Sequence, residues 1–338
     1  MARSSRSTVR DIARHAGVSV ATVSRVTSDD PHVTPGTRTK VLASIEALGY
    51  RPSALGRGLA NGRFSMLGIV LPGLGGPYFA ELIQGAESVA GEAGMALSVI
   101  GTHMRRDVGQ AVRQLSERTD GLVVVGGTVD GNLLHQLAAH GPLVVVADSV
   151  PDLVCIRTDG HGATRELTAH LLEVHGYRTL RFVGLGRGSP DAAARYAGFR
   201  EALTERGLAE VAPPLVQGMD SKAGAAAARE LVSSGAVPQA LVCANDELAI
   251  GLLATLPGLG VAVPGDVAIV GFDDNALASL ASPTLTTIHQ PIQAIGAEAA
   301  RVVLDAARRR EEVSAPPPPE DRVIPTRLVI RESCGCLY

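Results

Sequence analysis

Tryptophan is absent from the 338 residues, and tyrosine and phenylalanine supply five rings each, so any ligand here meets few aromatic faces. No apolar run reaches the roughly 18 residues of a membrane span, so no membrane partner is expected. The basic start, MARSSRSTVRD, leads into no apolar stretch of the kind a secretory signal carries, and a cytoplasmic location is expected. Cysteine is scarce. Cys155, Cys243, Cys334 and Cys336 fit no metal-ligand spacing, because Cys334-Gly-Cys336 is a C-x-C with no second cysteine pair. They are read as reduced thiols, with no metal site and no cofactor. Catalytic signatures are missing too. No G-x-S-x-G elbow, H-E-x-x-H or P-loop occurs, and GLGRGS (184–189) is not the G-x-G-x-x-G of a dinucleotide site. The chain is not expected to be an enzyme. No heptad tail follows the last apolar run, so a coiled-coil tetramer is not expected either.

What is present favours folding. The composition is 46% hydrophobic and 19% charged, and the chain is too long for one ordinary core. The net charge of −3 hides an asymmetry: residues 1–63 hold 10 Lys/Arg against 4 Asp/Glu, and the remainder 21 against 30. A small basic head on a larger acidic body suits a polyanionic partner for the head, although a solvated basic tail would carry the same charge.

Within the head, Thr8-x-x-Asp11 is a capping box with Asp in place of the usual Glu or Gln. Val9, Ile12, Ala13 and Ala16 follow at helical spacing, and Gly17 stops the helix. Ser19 can cap a second helix carrying Ala21, Thr22, Val23 and Val26. Two helices around a short glycine turn make a helix-turn-helix, whose second helix (about 20–27) would enter a major groove. Val20 and Ala21 can touch thymine methyls, Thr22 and Ser24 can bond phosphates or base edges, and Arg25 can reach phosphate or guanine. An exposed helix of a plain three-helix bundle is the blander alternative. A third helix starts at Thr34 as N-cap with Pro35 in the first helical position, and Gly49 ends it. Val41, Leu42, Ile45 and Leu48 are expected to form its core stripe.

The stretches VRDIARHAGVSVATVSRV (9–26) and VTPGTRTKVLASIEALGYRPS (33–53) closely resemble the DNA-binding head of the lac repressor/Gal repressor (LacI/GalR) family of bacterial transcription regulators. The resemblance implies a DNA-binding surface of Thr8, Ser19, Val20, Ala21, Thr22, Ser24, Arg25, His32, Thr34 and Tyr50. Between head and body lies SALGRGLANGR (53–63). Gly56 and Gly58 weaken any helix there by about 1 kcal/mol each, so the segment needs support to become helical. In the family it is a hinge helix that inserts a leucine into the minor groove of a palindromic operator. That role falls to Leu59, with Ala60 beside it.

From residue 64 the pattern changes. Apolar runs at 66–72, 96–102, 121–127 and 143–148, then at 179–185, 240–246 and 267–274, show no polar alternation. They read as strands buried on both faces, in two doubly wound lobes. Asp148, Asn245, Asp246, Asp273 and Asp274 follow such strands, where ligands of open α/β sheets bind. The resemblance implies a two-lobed, periplasmic-binding-protein-like core crossed three times by the chain. The head would cover 1–52, the hinge 53–63 and the core 64–338. The first lobe would take about 64–160 and 291–320, and the second about 161–290 and 324–334.

DAAARYAGFREAL (191–203) matches a family motif whose arginine holds the effector, here Arg195. The same carry-over implicates Tyr78, Phe79, Asp148, Asn245, Asp246 and Asp273, with Gln290 near a lobe crossing. Either Asp273 or Asp274 would be merely structural, and Arg195 could instead form a structural salt bridge. Carboxylates, an arginine fork and an amide suit a small sugar. GMDSKAG (218–224) departs from the pattern by offering Asp220 where relatives often place an aromatic, so Asp220 would take a hydroxyl or an amine. The expected function is a homodimeric, DNA-binding transcription regulator, a repressor controlled by a small-molecule effector and nucleoid-associated when bound. A co-repressed regulator sensing a nucleobase is the alternative, and a solute-binding protein a distant one.

Overall fold

The computed structural model describes residues 7–27, 30–50, 64–185, 188–215, 218–311 and 320–336. It divides into two units, Met1–Phe64 and Ser65–Tyr338. The hinge residues Leu59 and Ala60 lie outside the described residues.

The first unit has three helices: α1 (Val9–Ala16), α2 (Val20–Thr27) and α3 (Pro35–Ala47). The capping box forms as its residues predict. The Thr8 hydroxyl accepts from the Asp11 amide, and the Asp11 carboxylate accepts from the Thr8 amide at 2.9 Å. Gly17 ends α1 at φ +67, and the Ser19 hydroxyl accepts from the Thr22 amide at 3.1 Å. Thr34 occupies the N-cap position of α3 without capping it, because its hydroxyl donates to that of Thr37 instead. Ile12, Ala13, Val23, Val26 and Val41 make the small core, flanked by Val9, Ala16, Ile45 and Leu48. Leu42 is not in it. It is 51% exposed, whereas Ser44, on the inward face, is buried and within 3.0 Å of His15 Nδ1.

The second unit holds two α/β lobes. In the first, β1 (Met66–Leu71), β2 (Ala96–Gly101), β3 (Gly121–Val125), β4 (Leu143–Val146), β5 (Val154–Thr158) and β10 (Asp321–Ile324) form an all-parallel sheet ordered β10-β5-β4-β3-β1-β2. Strand alternation sends Leu67, Ile69 and Leu71 to one face and Val70, Leu122 and Val124 to the other. Helices α4 (Pro77–Glu92) and α12 (Ile292–Glu311) cover the first face, and α5 (Val108–Ser116) and α6 (Gly131–His140) the second. Continuous apolar strands are therefore needed, because water reaches neither face. Small residues let α4 and α12 meet backbone to backbone: a Cβ on Gly85 would lie 1.9 Å from the Gln293 carbonyl oxygen.

In the second lobe, β6 (Leu180–Val183), β7 (Ala240–Cys243) and β8 (Ala268–Val270) run parallel. Around them lie α7 (Gly160–Glu173), α8 (Pro190–Thr204), α9 (Ser221–Ser234), α10 (Asp246–Thr255) and the short α11 (Ala276–Leu280). They enclose one continuous core centred on Phe182, Phe199 and Leu252.

The chain passes between lobes at three places. It leaves β5 for α7, and β9 (Thr287–His289) for α12; it leaves β10 for β11 (Arg327–Val329). Strands β9 and β11 pair antiparallel, so two of the crossings are hydrogen-bonded together. The last turn of the first lobe's contribution extends to Ile324, beyond the expected 320, because β10 pairs with β5.

Candidate functional site

Two separate surfaces collect the residues named from sequence. On the head, Val20, Ala21 and Arg25 are exposed along α2, and Thr22 and Ser24 are half-buried. The hydroxyl-bearing residues Thr8, Ser19 and Thr34 are exposed where the three helices begin. Helix N-termini of this kind present backbone N–H groups and positive potential to anions such as phosphate. His32 is exposed, with Nδ1 3.0 Å from an Asp30 carboxylate oxygen. Bonds from the His32 amide and ring hold the Asp30 carboxyl below its usual range. Tyr50 is half-buried against the head core rather than displayed with the α2 residues.

The other surface lies between the lobes of the core. Arg195, on α8, is almost fully buried. Its guanidinium ion-pairs with Asp191 one helical turn earlier, donates to the Ala244 carbonyl, and stands 3.8 Å from Asp273. It also lies over the Phe272 ring, 3.8 Å from the centroid. Its Nε is buried without a hydrogen-bond partner. Arg195 is thus both a salt-bridged residue and one with donor capacity left over.

Asp273 sits in a left-handed conformation, φ +125, three residues after the second lobe's last parallel strand. Its Oδ1 accepts from Gln290 Nε2 at 2.7 Å, and Gln290 Oε1 accepts from Thr158 Oγ1 at 2.7 Å. All three residues are buried. Thr158 ends β5 of the first lobe, so this relay spans two crossings and both lobes. Burial pushes the Asp273 carboxyl well above its ordinary range, against the pull of Arg195.

The first lobe answers with Tyr78 and Asp148. Burial and the nearby Asp191 and Asp273 carboxylates push the Tyr78 phenol far up. Phe79 meets its ring edge-on at 5.3 Å. Burial raises the Asp148 carboxyl too, opposed by the Ser149 amide that bonds it at 2.8 Å; Asp191 adds to the rise. The lobes also touch beside the cleft. Gly127, at φ +75, has its missing Cβ only 1.9 Å from the Gly188 carbonyl oxygen, and that of Gly76 would be 2.5 Å from Glu247 Oε1. Only glycine allows the approach at Gly127, where the neighbour is backbone.

The remaining named residues do other work. Asp274 is tied to Arg331 at 2.6 Å and to His289 Nδ1 at 3.1 Å. Asp246 is completely buried and accepts from Thr287 Oγ1 at 2.6 Å and from the Asn275 amide at 2.9 Å. Asn245 caps α10 and donates to the Met219 carbonyl at 2.8 Å. Asp220 is exposed and caps α9, accepting from the Ala223 amide at 2.8 Å. Neither makes a hydrogen bond to the Arg195 group.

Sequence reasoning missed Asp191, Thr158 and Phe272. The i,i+4 spacing of Asp191 and Arg195 on one helix was the available signal for the first. It also missed the neighbours of the C-terminal thiols: Cys334 and Cys336 lack a second cysteine pair, but the fold sets them against His170 and His175.

Family models place these surfaces in context. Residues 8–53 match the model described as bacterial regulatory proteins, lacI family, and 168–334 match a periplasmic binding protein-like domain. The catabolite control protein A of Priestia megaterium is 32% identical over 303 residues, covering 88% of this chain and 91% of that protein. Among solved structures, a transcriptional regulator CelR–cellobiose complex superposes with a TM-score of 0.71 at 27% identity, covering 97% of this chain and all of that one. The lac repressor dimer bound to operator and the anti-inducer ONPF superposes at 0.78 with 25% identity, covering 98% and 99%. The matched proteins are regulators, and this chain is a regulator rather than an enzyme. With its helix-turn-helix head and two-lobed effector-binding core, the chain belongs to the LacI family of bacterial transcriptional regulators.

Proposed function

We propose that this regulator is a dimeric repressor whose hold on a palindromic operator is controlled by a small sugar bound between the core lobes. The observation that carries the sugar reading is the make-up of the cleft. Three carboxylates (Asp148, Asp191 and Asp273) and the Tyr78 hydroxyl converge electrostatically, and the one guanidinium among them is already paired. Ligand hydroxyls supply donors for carboxylates and acceptors for the unpaired Arg195 Nε. An anion meets net negative charge there. A flat nucleobase finds only the Tyr78 and Phe79 rings on the first lobe.

On the DNA side, Val20, Ala21 and Arg25 reach base edges, while Thr8, Ser19, Thr22, Ser24, His32 and Thr34 approach the backbone. Leu59 serves as the minor-groove wedge, with Ala60 beside it. Tyr50 holds the third helix in place. Two heads are needed because one short recognition helix binds weakly, and tethering makes the second contact intramolecular. The partially exposed edge strand β2, with exposed Leu74 and Met104 nearby, supports pairing of cores through that side and α4.

The test has two steps. An operator is selected from fragmented genomic DNA with the purified full chain. Mono- and oligosaccharides, nucleobases and amines are then screened for a rise in melting temperature and a change in operator anisotropy. A sugar at a hundred times its Kd should add about 2.7 kcal/mol of stability. A nucleobase that does this while every sugar fails would replace the sugar reading, and failure to select any DNA would overturn the repressor reading.

A further inference from the structure

At the far end of the second lobe, four side chains converge that neither DNA nor effector binding uses. His170 lies in the last turn of α7, and His175 follows that helix. Cys334 ends a short 3-10 turn, Glu332–Cys334, and Cys336 comes two residues later. The two ring nitrogens and two sulfurs all lie within 4.8 Å of one another. His170 Nε2 is 3.8 Å from Cys334 Sγ and 3.7 Å from Cys336 Sγ, and His175 Nε2 is 3.4 Å from Cys336 Sγ.

These separations have a chemical meaning. A tetrahedral zinc ion with bonds of about 2.3 Å to sulfur and about 2.05 Å to nitrogen places neighbouring N and S atoms about 3.6 Å apart. The three observed N···S distances bracket that value. All four cysteines of the chain are free thiols, so the sulfurs are available as thiolate ligands.

The surroundings position the ligands. Tyr177 stacks on the His175 ring at 5.2 Å, and its hydroxyl donates to the Cys334 carbonyl at 3.1 Å. Gly335 turns the chain at φ +101 between the cysteines, where a Cβ would come within 3.1 Å of the Tyr177 hydroxyl and 3.4 Å of the His175 ring. The residue before Cys334 is anchored as well: Ser333 Oγ donates to the Ile269 carbonyl at 2.6 Å and accepts from the Thr286 amide at 2.8 Å.

We propose that His170, His175, Cys334 and Cys336 form a structural Cys2His2 site for zinc. Four protein ligands leave no open position, so the ion has no catalytic or sensing vertex. It fastens the chain's return from the third lobe crossing to the end of α7, joining segments about 160 residues apart in sequence. Binding releases the thiol protons and exchanges S–H···N contacts for Zn–S and Zn–N bonds, with no redox change.

The full chain, purified under reducing conditions without chelator, is analysed for metal and then stripped and titrated with Co2+. About one zinc per chain is expected, with the visible ligand-field and sulfur-to-cobalt charge-transfer bands of a tetrahedral Cys2His2 site in the titration. Half-exposed Cys336→Ser should lose the zinc and the cobalt spectrum while keeping the wild-type circular dichroism. His175→Ala should do the same. Stripping zinc from the wild type should lower its melting temperature, and stripping should leave that of Cys336→Ser unchanged. A reduced wild-type chain that holds no zinc and gives no cobalt bands overturns the proposal. So do cobalt bands that persist in Cys334→Ser/Cys336→Ser, or a Cys334–Cys336 disulfide in freshly purified protein.

Discussion

Gln290 is the side chain whose removal most directly tests the cleft. Its amide bridges Thr158 Oγ1 of the first lobe and Asp273 Oδ1 of the second, at 2.7 Å each. All three residues are buried. Gln290→Leu keeps most of the volume and orphans both partners. An unsatisfied buried group costs about 1–3 kcal/mol, and more when charged, giving a loss of about 3–5 kcal/mol. At about 2–4 °C per kcal/mol for a large domain, the melting temperature should fall on the order of 10 °C. Gln290→Glu adds a pH signature. Beside the Asp273 carboxylate the new carboxyl keeps its proton in the folded state, so its folded pKa lies above its unfolded value of about 4.3. Protonated, it donates to Asp273 and accepts from Thr158, as the amide does. Stability should therefore approach wild type near pH 4 and be lost as pH rises through the raised pKa. Thermal denaturation of the three proteins at pH 5 and pH 8 measures this. Two variants within about 0.5 kcal/mol of wild type at both pH values, the range of an unremarkable surface change, would refute the bridging role.

Three further outcomes are expected. Gly127→Ala forces a side chain into a left-handed position, at about 1–2 kcal/mol, and places its Cβ on the Gly188 carbonyl oxygen. It should weaken the effector found by screening at least tenfold, about 1.4 kcal/mol, as read by calorimetry. Burial lifts the Asp246 carboxyl to about 7, so its contribution to stability is full below about pH 4 and is lost as pH rises through 7. Asp246→Asn can keep both bonds, to Thr287 and to the Asn275 amide, so melting curves at pH 5 and pH 8 should differ less for the variant than for wild type. Arg25→Ala should cost about 1–3 kcal/mol of operator binding with the core's melting temperature unchanged; equal binding in an anisotropy titration removes Arg25 from the interface.

Local chemistry made the head readable. The Thr8–Asp11 box, the Gly17 stop and the Ser19 cap are decided within four residues, and all three form. Leu42 went astray because a one-residue step around a helix, from Val41 to Leu42, separates core from solvent, and hydrophobicity alone favours Leu42 over the buried Ser44. In the core, seven strands were visible as unbroken apolar runs. β5, β9 and β10 were not, because VCIRT, TIH and DRVI interleave polar residues and are short. The same blindness affected the site. Asp273 and Arg195 were named from a motif, but Thr158 and Gln290 owe their partnership to crossings that bring residues 132 apart within hydrogen-bonding distance. The thiol–imidazole cluster was illegible for the same reason.

Those crossings give the cleft its leverage. Thr158 and Gln290 belong to the first and second passages between lobes, and Asp273 holds the second through Gln290. Asp274, the next residue, holds His289 of the second passage and Arg331 just beyond the third. Two adjacent aspartates in left-handed conformations therefore tie the crossings to the floor of the cleft. In the proposed sugar reading, a ligand hydroxyl that bonds Asp273 would compete directly with Gln290 and with Arg195. The fully paired arrangement would then be one of two ways to satisfy the same carboxylate, and the ligand would provide the other. A ligand shifts a two-state equilibrium only by the difference in its affinity for the two states. In the proposed reading that difference arises where the lobes are joined, so occupancy of the cleft and the angle between lobes would be set by the same few hydrogen bonds. A ligand that fills the cleft without touching Asp273 should bind without altering operator affinity.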